Sequence, residues 1–419
     1  MQSLNLMSNL NRIETPRIEV KIGQYIFGNF EKIEREQGID QYGAYRINGI
    51  RYPNFIQSLS IEKINGQVNK YTLSLDYTIR ETDDPNFFEK VFSSVSTSRK
   101  IVFSYGDMEI PNYCFREEEG IITKVRSRVS VNTNTISYTV TAISSGLLLD
   151  IGTYPYFPER KDTKPSDIIK DLLTDNQFNL LDIFSGMRNG LILNGTNLIP
   201  DDDLPVDIKS KTNISVLDYL KYLVSMMKPI SSSSLLINPY IITFGDDTSG
   251  ELMGPYFKIS QVNNQIKENE AYTIDIGWPG NTFVIDFQLE TDETYSIYYD
   301  YQKQLHPEEY IQRLNNRGEI EEIYAPIISS GNDYYYTQDS DKTWWTKVTN
   351  YPIKISITLK GLLKPVLLMS YVKLNVLFFG RKHISSGLYI VTRQQDNIDV
   401  GGYRTTLSLL RISGDDELV

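Results

Sequence analysis

The 419-residue sequence contains little histidine and cysteine. Its single cysteine, Cys114, excludes an intramolecular disulfide framework and a cysteine-based zinc cage, and we expect it to be a small buried apolar residue. With only His306 and His383, a histidine-dependent triad or a multi-histidine metal site is disfavoured. His383 stands beside Arg381 and Lys382, which favours an exposed turn residue.

Concentrated positive charge and long apolar runs are also missing. Lys and Arg number 42 against 53 Asp and Glu, a net charge of −11, so we expect no stable nucleic-acid binding. Residues 1–20 lack the basic and apolar regions of a signal peptide. The apolar stretch 361–380 is interrupted by lysines and a proline. These features predict a soluble protein, made in a cytoplasm, with no integral membrane segment.

The motifs of common enzymes are absent from the sequence. It has no G-x-x-x-x-G-K-[ST], no H-E-x-x-H and no G-x-S-x-G. The acidic stretches 116–120 ("REEEG") and 200–205 ("PDDDLP") offer carboxylates for a glycosidase, but no partner carboxylate is identifiable and acidic loops are usually solvated surface. The stretch 245–250 ("GDDTSG") lacks EF-hand spacing. We therefore predict a non-enzymatic protein without catalytic residues, cofactor or metal.

Alternating apolar and polar residues indicate strands near both ends of the chain. Tyrosine, which favours strands and interfaces, accounts for 29 residues. Asn65-Gly66 is the signal of a β-hairpin, and the Asn-rich stretch 132–135 predicts a second turn. A short helix is predicted at 83–95. The predicted strand regions are 17–30, 54–80, 99–110, 120–144 and 351–413.

Two amphipathic helices are predicted between these β regions. Residues 164–178 place apolar side chains at helical spacing. Residues 214–229 form a stronger helical pattern, with Ser215 as the expected N-cap. Met226 and Met227 belong to its apolar stripe, where core packing is favoured over a cofactor site.

The predicted fold class is mainly β with an α/β insert, in which two related small β-barrel domains flank a mixed α/β middle region. The length of the chain allows two to four domains. We predict an N-terminal tail at 1–14, a first barrel at 15–149, an α/β middle domain at 150–262, a β segment at 263–299, an irregular aromatic-rich loop or insertion at 300–350, and a second barrel at 351–419.

Four short stretches recur in the same order in the two β regions. Each copy places a glycine after aromatic residues, Gly106 and Gly380, and opens a β-branched run with another glycine, Gly120 and Gly387. The matching pairs are 70–79 with 351–361, 102–110 with 376–384, 120–129 with 387–396, and 137–145 with 403–413. The pattern favours one β module present twice. The alternative is that two unrelated meanders share alternation and glycines.

The second copy resembles the end of the second barrel in baseplate hub proteins of phage tails, a family that includes the hub part of type VI secretion spikes. The resemblance rests on "SGLYIVT" (386–392) and "YRTTLSLLRI" (403–412). Residues 273–290 are similar to the family's entry into its second half, and 240–247 to part of its middle domain. The stretch 300–350 has no counterpart.

The resemblance implies a structural virion protein of the tail or baseplate, made in the host bacterium. A homotrimer with two barrels per subunit presents six similar surfaces, so it can join a sixfold tail tube to a threefold spike. The implied partners are therefore other copies of the chain, a tail tube protein, and a spike or tail-tip protein.

An aromatic cluster in the polar region 300–350 is the candidate interface. Its side chains can anchor a protein contact, pack beneath their own loop, or stack on a sugar. The cluster consists of Tyr334, Tyr335, Tyr336, Trp344 and Trp345. It supports the alternative function, a carbohydrate- or receptor-binding tail component. A third hypothesis, a lytic tail enzyme, needs paired carboxylates in a cleft, which the sequence does not identify.

Overall fold

The computed structural model describes the two β-rich ends of the chain and part of the region between them. The described residues are 13, 16–23, 25–28, 46–47, 50–51, 56–79, 92–107, 116–144, 150, 153–174, 199–227, 240–247, 254–261, 272–277, 283–291, 310–314, 320–324, 353–362, 366, 368, 370–378, 381–383 and 385–414.

The first part of the chain is built from antiparallel strands. They are β1 (Pro16–Ile22), β2 (Tyr25–Gly28), β3 (Arg46–Ile47), β4 (Ile50–Arg51), β5 (Ile56–Ile64), β6 (Lys70–Thr78), β7 (Lys100–Asp107), β8 (Arg116–Ser130) and β9 (Thr135–Ile143). The predicted hairpin turn is confirmed, with Gly66 at φ +68°. The predicted strand 17–30 is two strands that turn at Gly23. Of the predicted helix 83–95, residues 92–94 are helical and 83–91 lie outside the described residues.

The middle part contains the two predicted helices. Its elements are β10 (Thr153–Phe157), β11 (Arg160–Thr163), α1 (Pro165–Thr174), β12 (Val206–Ile208), β13 (Lys211–Ser215), α2 (Val216–Met226), β14 (Tyr240–Asp247) and β15 (Gly254–Gln261). The predicted N-cap is confirmed, because the Ser215 hydroxyl accepts a hydrogen bond from the Asp218 N–H at 3.0 Å. Met226 and Met227 belong to the middle core, as expected.

The last part returns to strands. They are β16 (Tyr272–Ile276), β17 (Val284–Thr291), β18 (Tyr310–Leu314), β19 (Ile320–Tyr324), β20 (Ile353–Lys360), β21 (Tyr371–Phe378), β22 (Arg381–Lys382), β23 (Gly387–Asp399) and β24 (Gly402–Gly414). Strands β18 and β19 form an antiparallel hairpin inside the stretch predicted to be irregular. The prediction for 300–350 is therefore wrong at these two strands.

Both ends of the chain arrange six strands in the same order. The first sheet runs β1-β7-β8-β9-β6-β5, and the second runs β16-β21-β23-β24-β20-β17. Neighbouring strands are antiparallel in both, except that β16 is parallel to β21. The four recurring stretches correspond to β6, β7, β8 and β9 in the first sheet and to β20, β21, β23 and β24 in the second. The repeat therefore extends from sequence to strand order.

Buried apolar residues form three cores, one for each sheet and one for the middle part. The first core takes side chains from β1, β2 and β5 to β9, together with one each from β23 and β24, and the last takes them from β16, β20, β21, β23 and β24. The middle core packs α1 against α2. The mainly β fold class is confirmed, while closure of either sheet into a barrel stays a prediction.

Ile13 is packed against the second half of the chain. Ile13 is only 7% exposed, and its N–H donates to the Gly361 carbonyl at 2.9 Å. Within the predicted tail 1–14 the structure describes Ile13 alone, so the tail as a whole stays a prediction. In the part of the chain that the structure describes, no helix is long and apolar enough to cross a membrane.

Candidate assembly interface

The aromatic cluster predicted as the interface, Tyr334, Tyr335, Tyr336, Trp344 and Trp345, lies outside the described residues, as do Cys114 and His306. His383 is described and is half-buried, not exposed as predicted. Its Nδ1 accepts a hydrogen bond from the Ser385 N–H at 3.2 Å and lies 2.8 Å from the Ser385 hydroxyl. This imidazole therefore organises the turn before β23.

The acidic stretch 116–120 contains a buried ion pair. Glu118 is 2% exposed, so the expectation of solvated surface is wrong for this residue. Its Oε1 lies 2.5 Å from Lys63 Nζ and accepts a hydrogen bond from the Tyr105 hydroxyl at 2.9 Å. The lysine ammonium and the tyrosine hydroxyl both compensate this buried carboxylate through Oε1, which is a structural role.

The acidic loop 200–205 also contains a buried carboxylate. Asp203 is fully buried and accepts hydrogen bonds from the Ser166 N–H at 2.9 Å and the Ser166 hydroxyl at 2.5 Å. Its neighbour Asp201 is exposed, and the adjacent ammonium groups of Lys170 and Lys164 lower the pKa of its carboxyl. Among the described residues, no group of three metal-ligating side chains is present.

The two halves of the chain contact each other through a pair of strands. The end of β23 pairs antiparallel with β5, so that Arg393–Asp399 faces Ser58–Ile64. We call this contact the internal joint. It merges the two six-stranded sheets into one continuous hydrogen-bonded structure of 16 strands.

On its inner side, the internal joint contains buried side chains of β23. Gln394 and Asp396 are each 1% exposed. The Asp396 carboxylate accepts hydrogen bonds from the Thr405 hydroxyl at 2.6 Å and from the Gln394 amide at 3.0 Å. Ile398 and Tyr403, although they belong to the second half, are members of the first core. The two halves therefore share packing as well as strand pairing.

On its outer side, the internal joint carries a polar network. Arg393 Nη2 lies 2.5 Å from Glu62 Oε1 and 3.2 Å from Gln395 Oε1, to which it donates. The Gln395 amide donates to the Ser60 hydroxyl at 3.3 Å. These contacts link β23 to β5 across the surface and help to fix the register of the joint.

The outer face of the merged sheet is polar across several strands. One cross-strand row crosses seven strands and the internal joint without interruption, following the described registers. Its members are Lys124, Thr141, Thr72, Ser60, Asn397, Arg404 and Lys360. Three of these residues are Ser or Thr, and the other four are Lys, Arg or Asn, so this polar face is a candidate surface for assembly.

No protein-family model and no curated protein matches the sequence. Among solved structures, the chain is similar to the 43 kDa tail protein of prophage MuSo2 from Shewanella oneidensis, with a TM-score of 0.50, 9% identity, and coverage of 95% of this chain and 97% of that one. The chain therefore has the fold of a phage tail protein. This agrees, at the level of fold, with the resemblance found in the sequence.

Two further solved structures are similar over most of this chain, with lower scores. The tail protein from Neisseria meningitidis MC58 has a TM-score of 0.49 and 9% identity, covering 96% of this chain and 98% of its own. An E. coli type VI secretion component, described as structurally similar to T4 phage tail proteins, has a TM-score of 0.46 and 10% identity, covering 88% and 76%.

Proposed function

We propose that this protein is a non-enzymatic structural component of a phage-type tail, acting as a baseplate hub. In this role, copies of the chain form a ring, a trimer, that joins a sixfold tail tube to a threefold spike or tail tip. The single observation that carries the proposal is the repeated six-stranded order, merged through the internal joint into one sheet. The tail-protein fold supports it.

The repeat gives the proposal its physical reason. A trimer of a chain with two equivalent sheets contains six equivalent sheets, so its surface can match six tube subunits without a second type of hub protein. The partners in this scheme are a tail tube protein on one side and a spike or tail-tip protein on the other, within the virion.

The proposed function also predicts how the chain is divided. Three cores support a first β domain at 15–149, an α/β middle domain at 150–262, and a second β domain at 351–419 that takes in strands from 263–299. In this division the two β domains form the ring, and the middle domain and the region 300–350 are available for contacts outside the ring.

The mass of the purified protein, measured by light scattering over a range of concentrations, tests the ring. We expect a species of three times the subunit mass of 48.2 kDa. A dimer, or a tetramer, at every concentration contradicts the threefold ring. A strict monomer shows that the purified chain does not form a trimer by itself. The symmetry argument is then lost, and the alternative function is favoured.

That alternative is a carbohydrate- or receptor-binding tail component that uses the aromatic cluster. It depends on sequence alone, since 325–350 lies outside the described residues. A glycan array distinguishes the two functions. Glycan binding that is lost in Trp344→Ala and Trp345→Ala variants favours the alternative, whereas a trimer without glycan binding favours the hub.

A further inference from the structure

The strand registers place the two halves of the chain in residue-by-residue correspondence. In the first sheet Ser74 lies opposite Thr139, and in the second Thr358 lies opposite Thr406. On this alignment Lys70–Leu75 of β6 corresponds to Lys354–Leu359 of β20, with the same alternation of apolar and polar side chains. The correspondence is therefore independent of the glycine motifs.

Irregularities in the registers fix the same alignment at the remaining strands. The β8–β9 register skips Thr123, and the β23–β24 register skips Thr392. Likewise the β5–β6 register skips Gln57 and the β17–β20 register skips Ile285. Because bulges set the face on which each following side chain lies, matched bulges are strong markers of equivalence.

Each strand of the internal joint has an equivalent strand in the other half of the chain. Counting from the bulges, Lys124–Ser130 of β8 corresponds to Arg393–Asp399 of β23. This corrects the sequence match of 120–129 with 387–396 by two residues, because Gly120 then corresponds to Tyr389 and not to Gly387. Counting in the same way, Asp286–Glu290 of β17 corresponds to Ser58–Glu62 of β5. The end of β8 is therefore the equivalent of β23, and β17 is the equivalent of β5. Unlike the two strands of the internal joint, these two strand edges are not paired with each other within the chain.

Both edges are open among the described strands. Strand β7 pairs with β8 only from Arg116 to Ile121, so Lys124–Ser130 has β9 on one side and no described strand on the other. Strand β17 pairs with β20 and is the last strand of its sheet in the described part of the chain. Open edges of this length are templates for pairing with another chain.

Both edges expose large apolar side chains. Val129 is 61% exposed, whereas its equivalent in the internal joint, Ile398, is 1% exposed. Leu289 is 37% exposed, whereas its equivalent, Ile61, is 1% exposed. Ile285, at the start of β17, is 49% exposed. The same positions that pack in the internal joint thus remain solvent-exposed at the open edges.

The two edges also carry opposite charges. Lys124, Arg126 and Arg128 are exposed on the outer face of β8, and Asp286 and Glu290 are exposed on β17. Opposite charges on facing strands stabilise pairing, and like charges on each edge disfavour pairing of an edge with itself. A contact between β8 and β17 of different copies therefore satisfies both charge and apolar burial.

We propose that β17 of one copy adds antiparallel to the end of β8 of the next copy, reproducing the internal joint between subunits. The register carried over from the internal joint pairs Arg126 with Glu290, Arg128 with Gln288, Val129 with Phe287, and Ser130 with Asp286. This inference deepens the proposed ring and rests on it. The partner at both edges is a second copy of this chain.

The contact has consequences for symmetry. It joins two different surfaces of the same chain, so it is heterologous and propagates head to tail until the ring closes. Internal and intersubunit joints then alternate around the ring, and each sheet meets its neighbours through the same kind of strand pairing. The packing of Ile398 and Tyr403 in the first core predicts that Val129 and its neighbour Ile136 enter the second core of the adjacent copy.

Disulfide cross-linking tests the register directly, in a Cys114→Ser background that leaves no other thiol. Mixing an Arg128→Cys variant with a Gln288→Cys variant is expected to give a disulfide-linked pair of chains under mild oxidation. Opposed residues in antiparallel strands have Cα atoms about 4.5 to 5.5 Å apart, within disulfide reach. Tryptic mass spectrometry identifies the linked peptides.

Two matched controls accompany this experiment. The first, Lys124→Cys mixed with Gln288→Cys, shifts one partner by four residues, about 13 Å along the strand, and is expected to give no link. The second places Asn397→Cys and Ser60→Cys in one chain, where the internal joint pairs these residues, and is expected to give an intramolecular link.

Charge reversal provides an independent test. Arg126→Glu alone and Glu290→Arg alone are each expected to weaken self-association about ten-fold or more, because like charges then face each other. The two substitutions in one chain are expected to restore it. Lys161→Glu, at an exposed site in the middle part, makes the same change of charge and is expected to have no effect.

The outcomes separate this contact from the proposed function. A trimeric mass without the Arg128–Gln288 link, or with equal linking of the shifted pair, overturns the strand pairing and leaves the proposed ring. A monomer without any link between chains overturns the pairing, but leaves a hub that assembles only on its partners. Restoration by the double charge reversal, together with the specific link, supports the contact.

Discussion

At the residue scale, the carboxylate of Asp203 supplies the hydrogen-bond acceptor that the residue before α1 does not provide. The helix begins at Pro165, and the residue before it, Lys164, cannot accept a hydrogen bond through its side chain. Asp203 instead accepts from the Ser166 N–H and hydroxyl, and its negative charge lies at the positive end of the helix dipole. A distant residue thus performs the work of a local cap.

Replacing Asp203 with alanine is expected to destabilise the middle part by about 2 kcal/mol, because buried donors of Ser166 lose their acceptor. The measurement is urea unfolding followed by circular dichroism. Asp202→Ala, at an exposed position in the same loop, is the matched control and is expected to change stability by less than about 0.5 kcal/mol. Equal losses in both variants contradict the capping role.

The sequence does not reveal the roles of Asp203 and Glu118, since both stand in acidic runs that are typical of solvated loops. Their partners, Ser166 and Lys63, lie 37 and 55 residues away in the chain. Ser215 differs because its hydroxyl accepts from Asp218, only three residues further along the chain, so the sequence predicts that cap. Local hydrogen bonds can thus be read from sequence, and long-range ones cannot.

At the element scale, β5, β7 and β8 meet around Lys63. This lysine lies on β5 in the internal joint, opposite Gln394 of β23, and its ammonium pairs with the buried Glu118. A second ion pair, Arg393 with Glu62, crosses the same joint on the outer face, where the side chains are 44% and 25% exposed. One joint therefore contains a buried and an exposed pair.

Lys63→Met is expected to destabilise the folded chain by about 3 kcal/mol or more, because it leaves the Glu118 carboxylate buried without its counter-charge. Arg393→Met, the matched change in the exposed pair, is expected to cost about 1 kcal/mol or less. Thermal unfolding of both variants checks the difference. The burial argument fails if the two losses are equal. A Lys63→Met, Glu118→Gln double variant is expected to recover part of the loss.

Elements with local signals were predicted well, whereas joints between distant elements were not. The hairpin at Gly66 and both helices follow from turn residues and apolar spacing. The β18–β19 hairpin is not predicted because its surroundings, 300–350, are polar, although the stretch 315–318 ("NNRG") between the two strands contains turn residues. The internal joint was missed because alternation shows which face of β5 or β23 is buried but not which strand lies beside it.

At the scale of the whole molecule, the repeat explains why the two sheets merge through unequal edges. If the internal joint involved equivalent strands, its symmetry would be twofold and the pairing would close on itself. It instead joins β5 to β23, the counterpart of β8, so one β5-type edge and one β8-type edge remain at the ends. The sequence motifs indicated that a module recurs, but only strand pairing shows this offset.

The charges on the two open edges predict how assembly responds to salt. If Lys124, Arg126 and Arg128 face Asp286 and Glu290 at the rim of each intersubunit contact, added salt screens their attraction. Raising NaCl from about 0.1 to 0.5 M, which shortens the screening length from about 10 to about 4 Å, is expected to weaken self-association roughly three-fold, as sedimentation equilibrium can measure.

An Arg126→Gln, Glu290→Gln double variant separates this charge effect from apolar burial. We expect it to assemble more weakly than the native chain at low salt and to lose much of the salt dependence, since one opposed charge pair per contact is removed. Association that strengthens with salt in the native chain would show that burial of Val129 and Leu289 outweighs the charges, because excluded salts favour apolar contacts. Salt dependence unchanged in the double variant would show that the Arg126–Glu290 pair does not contribute to it.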